Sequence, residues 1–270
     1  IIMKELMNFH DVDIQWGNHD ISWMGAAAGN LACICNVLRI AISYNSFDVL
    51  EDGYGINLRP LSMFAASAYR DDPCTRFKPH ILDQNIYDVV DPGLVAKMHK
   101  AITVIQFKVE GQIIRRHPEY GLNHRCLLEH VDFDKGTVEV DGKTYPMLDM
   151  KFPTIDPKDP LKLTEQEAEL LQTLKMSFRH SGLLHKHIKF LYSHGSMYKC
   201  CNNNLLYHGC IPLKKDGSFD DIVFYGIPYS GKALMDFVDQ MVQSAYFLPE
   251  SNPDKGVASD FMWYLWNGAK

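Results

Sequence analysis

Apolar positions fall into short blocks of changing period, and the periods predict the elements. Ile2, Leu6 and Phe9 have helical spacing, so residues 1–9 read as a helix end. Val12 to Trp16 reads as a short strand that stops at Gly17-Asn18-His19-Asp20. From about Ser22 to Tyr44 the chain is almost continuously apolar, with Ala and Gly on one side; this predicts one buried helix able to approach a sheet closely. Asn30, Asn36 and Arg39 interrupt its greasiest stretch, Met24 to Ile42, so it falls short of the ~20 apolar residues of a membrane span. Residues 48–70 hold a turn-rich segment and then a helix from about Pro60, a residue suited to a first helical turn. Residues 92–109 predict another helix, followed by the polar run RRHPEYGLNHR.

Over 129–147 the alternation of Thr137-Val138-Glu139-Val140, the Asp141-Gly142 turn and Lys143-Thr144-Tyr145 predict a hairpin. Residues 149–163 are punctuated by proline and read as a connector. Thr164 and Glu167 form a capping box, so a helix starts there and runs towards His180, with Ser181-Gly182 as its break. Beyond it, KFLYSHGSMYK, NNNLLYHGCIPL and DIVFYGIPY read as short strands ending in turns, and a helix follows from Gly231 to about Tyr246. The class is α+β/α/β: a core of strands and helices in 1–59 and 185–270, with a mainly helical insertion carrying a hairpin over 60–184.

Composition changes this picture little. The 270 residues are 46% apolar and 22% charged, an ordinary globular balance. Lys and Arg total 27 against 33 Asp and Glu, and the net charge of −6 argues against nucleic acid or an anionic membrane as the main partner. The seven cysteines contain no C-x-x-C pair, so a zinc ribbon or a thioredoxin-type site is not expected. No basic-then-apolar leader opens the chain, and thiols acting as small buried residues fit a reducing cytoplasm.

Chemistry enters at Gly17-Asn18-His19-Asp20. Gly17 permits a sharp strand-end turn, Asn18 offers a neutral amide oxygen to a hard cation, and His19 can protonate a leaving oxygen. Asp20 can hold that imidazole in one tautomer, and the amino end of the following helix favours phosphate. A plain helix cap built from the same residues is the bland alternative. His208, before Gly209 at the end of the Leu205-Leu206-Tyr207 strand, is a second candidate ligand. Two strand ends of one sheet can converge on one cleft.

These two motifs resemble the calcineurin-like metallophosphatases. The strings VDIQWGNHDISWMGAAAGN, LEDGYGINLRPL, GSMYK, NNNLLYHGCIPL and WYLWNGAK further resemble the class III fructose-1,6-bisphosphatases of bacteria, over nearly the whole length. The resemblance implies packed β-sheets flanked by helices, and hydrolysis of fructose 1,6-bisphosphate to fructose 6-phosphate in gluconeogenesis. It implies a two-metal site using manganese or magnesium, with Asn18 and His208 as metal ligands, His19 as general acid and Asp20 as its orienting partner. A homo-oligomer is compatible with it. Another phosphoesterase of the same superfamily, such as a phosphoprotein phosphatase, and a metal-free regulatory or binding module are the competing readings. The family's Asp-x-His, Gly-Asp-x-x-Asp-Arg and Gly-His-x-Pro motifs are absent from these residues, so the chain reads as an internal fragment, incomplete at both ends, with about half of a two-metal site.

Weaker signals complete the inventory. Arg59, Arg115, Arg116 and His194 are candidates for substrate phosphate, though a salt bridge or solvated face explains the arginines as well. His194 also rivals His208 as a ligand, and His185 with His187 would share one face of a strand. Gly226-x-x-x-x-Gly231-Lys232 is spaced like a P-loop, but Ala233 replaces the metal-holding hydroxyl and Pro228 removes an N–H. Phe261, Trp263, Tyr264 and Trp266 form an aromatic cluster apolar enough to pack inside.

Overall fold

The computed structural model describes residues 2–80 and 91–268. Ala269 and Lys270, which close the WYLWNGAK string, lie outside them. In chain order the helices are α1 (Ile2–Phe9), α2 (Asn18–Ala28), α3 (Leu31–Ser43), α4 (Arg59–Ala68), α5 (Pro92–Arg116), α6 (Glu165–His180), α7 (Gly182–His194), α8 (Gly231–Phe247) and α9 (Asp254–Asn267). The strands are β1 (Ile14–Gln15), β2 (Val131–Asp132), β3 (Thr137–Val140), β4 (Lys143–Pro146), β5 (Gly195–Ser196), β6 (Tyr198–Cys201), β7 (Asn204–Tyr207), β8 (Ile222–Phe224) and β9 (Ile227–Tyr229). The chain divides into two compact units, one formed by Ile1–Cys33 with Gly182–Lys270, the other by Ile34–Ser181. The division falls between Cys33 and Ile34, inside α3, and between Ser181 and Gly182.

The first unit is organised around a two-residue parallel ladder, β1 against β5, with Ile14 opposite Gly195 and Gln15 opposite Ser196. Trp16 is buried beside it; its indole N–H donates to the Leu191 carbonyl at 2.9 Å, and its amide donates to Ser196 at 3.0 Å. A side chain at position 195 would collide with the Trp16 indole and the Leu191 carbonyl, so the ladder requires glycine there. The expected single helix over 22–44 is two helices. Gly29 adopts a left-handed conformation (φ 92°) that ends α2, and the Asn30 side chain accepts the Cys33 N–H at 2.9 Å, opening α3.

Three further expectations, all on one segment, are corrected in this unit. Residues 189–194 continue α7, because Leu184, Ile188 and Leu191 recur at helical spacing and are all buried. His185 and His187 are therefore on a helix, where residues two apart face different ways, and they form no ligand pair. His194 ends a helix and not a strand. DIVFYGIPY is the hairpin β8–β9, turning at Tyr225 and Gly226, both of positive φ. The hairpin β6–β7 turns through Asn202 and Asn203, which also have positive φ (50° and 60°). Phe261, Trp263 and Tyr264 are buried as expected, with Trp266 half-buried.

In the inserted unit, α5 runs to Arg116, seven residues past its expected end, and Asp91 caps its start by accepting the Gly93 N–H at 2.8 Å. The capping box is present: Thr164 accepts from the Glu167 amide, and Glu167 accepts from the Thr164 amide. Asp141 (φ 51°) and Gly142 (φ 72°) make the expected turn between β3 and β4. Two lysines of α5 are fully buried. Lys100 pairs with Asp72 at 2.6 Å and Asp149 at 2.7 Å, among the rings of Tyr69, Phe77 and Phe152. Lys108 pairs with Glu167 at 2.7 Å. No helix among the described residues is long and apolar enough to cross a membrane.

His99 gives this unit a pH dependence. Burial holds its imidazole below the usual range; the Phe77 carbonyl, 3.0 Å from Nδ1, opposes this, while Arg39 and His80 reinforce it. Above about pH 6.5 the ring is neutral in both the folded and the unfolded chain. Below that, the unfolded chain takes up the proton first, so stability falls as pH falls towards the depressed folded value. Thermal melts of wild type and His99→Gln between pH 7 and 5 should therefore diverge, the wild type losing more; parallel slopes would contradict the assignment.

Candidate functional site

The candidate site grows out of the end of β1. With Trp16 locked by its indole bond, the chain turns at Gly17 (φ −96°, ψ 174°) directly into α2. Asn18, His19 and Asp20 form the first turn of that helix, with the side chains of Asn18 and His19 exposed at its positive amino end. Asp20 Oδ2 accepts the Gly17 N–H at 2.9 Å and so stabilises the turn. That bond takes the carboxylate to the backbone: among the described residues Asp20 makes no hydrogen bond with His19. The His19 ring instead packs edge-to-face with Trp266 of α9, centroids 4.9 Å apart at 74°.

His208 arrives from a different sheet. Among the described residues β7 pairs with β6 and β1 with β5, so these strands do not form the expected common sheet. Side chains hold the hairpin in place. Lys199 of β6 pairs with Asp13 at 2.5 Å, the Tyr198 hydroxyl donates to Asp236 at 2.8 Å, and the Met197 amide donates to Asp239 at 3.1 Å. Asp236 is held below the ordinary carboxylate range by its bonds from Lys232 and Tyr198. The result is that the His208 imidazole lies flat on Gly17. A Cβ at Gly17 would sit 2.6 Å from His208 Cε1 and 2.8 Å from each ring nitrogen. The backbone at Gly17 suits any residue, so glycine is needed there for space, a reason the strand-turn-helix pattern alone does not reveal. Trp266 was also missed as a site residue, since nothing local marks one aromatic of a buried cluster as facing the motif.

The remaining candidates have surroundings of their own. His194 bonds Ser193 Oγ at 2.7 Å and packs against the tilted Phe190 ring, centroids 4.3 Å apart. Arg59, the exposed first residue of α4, and Arg115 and Arg116, at the end of α5, belong to the inserted unit. The Arg115 guanidinium is engaged by Glu129 and by Asp159 at 3.6 Å, which weakens its claim on a phosphate. The P-loop spacing is a hairpin-to-helix joint: Lys232 pairs with Asp236, one turn further along α8, at 2.6 Å and lies over Tyr198.

Asn18 and His208 offer one amide and one imidazole. A pair of divalent ions needs carboxylates as well, to bridge and to balance four positive charges. Among the described residues no group of three or more His, Cys, Asp or Glu side chains is placed to hold a metal ion. These residues therefore do not by themselves fit a two-metal centre.

A helix amino end carrying an exposed imidazole, with a second imidazole laid on its turn, defines a site suited to an anionic ester. Comparison with known proteins narrows the class. The profile of the Firmicute fructose-1,6-bisphosphatases matches residues 1–270, and the chain belongs to that family. It is 52% identical over 268 residues to a fructose-1,6-bisphosphatase class 3 of Clostridium novyi, covering 99% of this chain and 40% of the relative. Proteins of the same name from Listeria monocytogenes and Bacteroides fragilis are each 49% identical, over 99% of this chain and 41% and 40% of their own lengths. The chain thus spans about 40% of the length of these relatives. No solved structure matches it.

Proposed function

We propose that this chain is the part of a class 3 fructose-1,6-bisphosphatase that carries its general acid and two metal donors. The enzyme would hydrolyse fructose 1,6-bisphosphate to fructose 6-phosphate and phosphate, a gluconeogenic step in the cytoplasm. The observation that carries this reading is the packing of His208 on Gly17, which brings the two motifs together in a chain matched by the family from residue 1 to residue 270.

In this reading the amino end of α2 attracts the phosphate, and His19 donates a proton to the departing sugar oxygen. Asp20 holds the Gly17 turn in shape and so sets where His19 and His208 stand. Asn18 and His208 each give one donor to a divalent cation, manganese or magnesium, whose shell is completed by carboxylates that these residues do not bring. That donor arrangement is the calcineurin-like one, and packed sheets around β1 and β5 go with it. A metal-free binding module is the second reading, favoured by the shortfall of carboxylates.

The test is phosphate release from fructose 1,6-bisphosphate by the protein at its full encoded length, with and without manganese. Release that depends on the metal and falls at least about a hundredfold in Asn18→Ala is the expected result. Full activity in Asn18→Ala removes the metal assignment; no release under any condition favours the binding module.

A further inference from the structure

We propose that Trp266 is a positioning residue for His19, the side chain that holds its imidazole in the orientation needed to donate a proton. The inference rests on the reading of His19 as general acid and names the group that serves it. An exposed histidine in a first helical turn samples several rotamers, and each misdirects the ring by ångströms. Asp20, the neighbour expected to restrain it, is bonded to the Gly17 amide. Among the described residues the ring contact of His19 is with Trp266, at 4.9 Å and 74°. Edge-to-face packing restrains the plane of the imidazole without a hydrogen bond. Among the described residues His19 makes no hydrogen bond, so both nitrogens are left to handle a proton.

The register of two helices makes this contact a consequence of the fold. α2 and α9 pack antiparallel, and three contacts step along them in opposite directions. His19 meets Trp266. A Cβ at Gly25 would stand 3.2 Å from Met262 Cβ, so the missing side chain lets the helices close. Asn30, in the break after α2, donates from Nδ2 to the Ser259 carbonyl at 2.9 Å and its hydroxyl at 3.2 Å. Phe261, Met262 and Trp263 are fully buried and fix the rotation of α9, which turns Trp266, half-buried in its last turn, towards His19.

The experiment compares two phosphate monoesters in the full-length protein. The sugar alkoxide of fructose 1,6-bisphosphate needs a proton to leave, whereas p-nitrophenolate leaves without one. His19→Ala should lose far more on the sugar bisphosphate than on p-nitrophenyl phosphate. Trp266→Ala should lower the ratio of the two kcat values about tenfold with KM for the sugar bisphosphate unchanged, and Trp266→Phe should restore the ratio. Equal losses on both substrates in Trp266→Ala, with His19→Ala still discriminating, would overturn the positioning role and leave the acid assignment standing. A His19→Ala variant that does not discriminate would remove the acid itself, and the positioning role with it. Independently of activity, the carbon-bound protons of the His19 ring in the full-length protein should show an aromatic ring-current shift, retained in Trp266→Phe and lost in Trp266→Ala. A His19 resonance indifferent to both substitutions would overturn the contact.

Discussion

Gly17→Ala is expected to lower phosphatase activity by roughly a hundredfold while leaving the protein folded. The backbone at Gly17 is extended in ψ and of ordinary negative φ, so alanine adds no strain there. The new methyl, however, would stand 2.6 Å from His208 Cε1, where carbon atoms rest at ~3.5–4.0 Å. His208 is exposed and its hairpin is held by side-chain bonds, so the imidazole yields sooner than the buried strand end does. With His208 as the proposed metal donor, a displacement of ~1 Å there costs on the order of a hundredfold. Phosphate release measured beside a thermal melt separates the two effects. A variant that melts like the wild type but turns over at the full rate would show that the stacking of His208 on Gly17 has no part in the chemistry.

The largest loss of stability is expected in the inserted unit, from Lys108→Met. Lys108 and Glu167 are both 0% exposed, and Glu167 also accepts the Thr164 amide that caps α6. Glu167 Oε1 has no hydrogen-bond partner, so the lysine ammonium is the principal compensation for this carboxylate. Removing the ammonium strands a buried charge, which costs ~3–5 kcal/mol. For a unit of this size the transition should fall by roughly 10 °C. Adding Glu167→Gln removes the stranded charge and keeps an acceptor for the Thr164 amide, so the double variant should recover part of the loss. A Lys108→Met variant that melts with the wild type would mean that water reaches the pair.

What was legible in the sequence was local chemistry. Asp141-Gly142, the Thr164–Glu167 box and the prolines at 60 and 92 each act within a few residues, and each sits where its spacing placed it. The strand-turn-helix setting of Gly17 to Asp20 was legible for the same reason. What escaped depends on partners far along the chain. Gly195 is glycine because Trp16 lies across it, and the parallel pairing of β1 with β5 has no local signature. The apolar run from 22 to 44 concealed a helix break, since Gly29 and Asn30 terminate α2 only through a left-handed turn and a bond to Ser259. Residues 189–194 mix aromatic and polar positions and read as strand, although their burial follows the helical stripe of α7. In the site, the motif letters named Asn18, His19 and His208. The packing adds what the letters do not show: Asp20 accepts the Gly17 amide, and Trp266 packs against His19.

The central claim is that Asn18, in the first turn of α2, and His208, just past the end of β7 and 190 positions away, serve one centre. Its most direct test is a double-mutant cycle on phosphate release from fructose 1,6-bisphosphate, using Asn18→Ala, His208→Ala and the pair in the full-length protein. Groups that act as a unit are strongly non-additive. The account predicts that the double variant loses no more than the worse single variant. A double variant whose loss equals the product of the two single losses would place the residues in independent roles and contradict it.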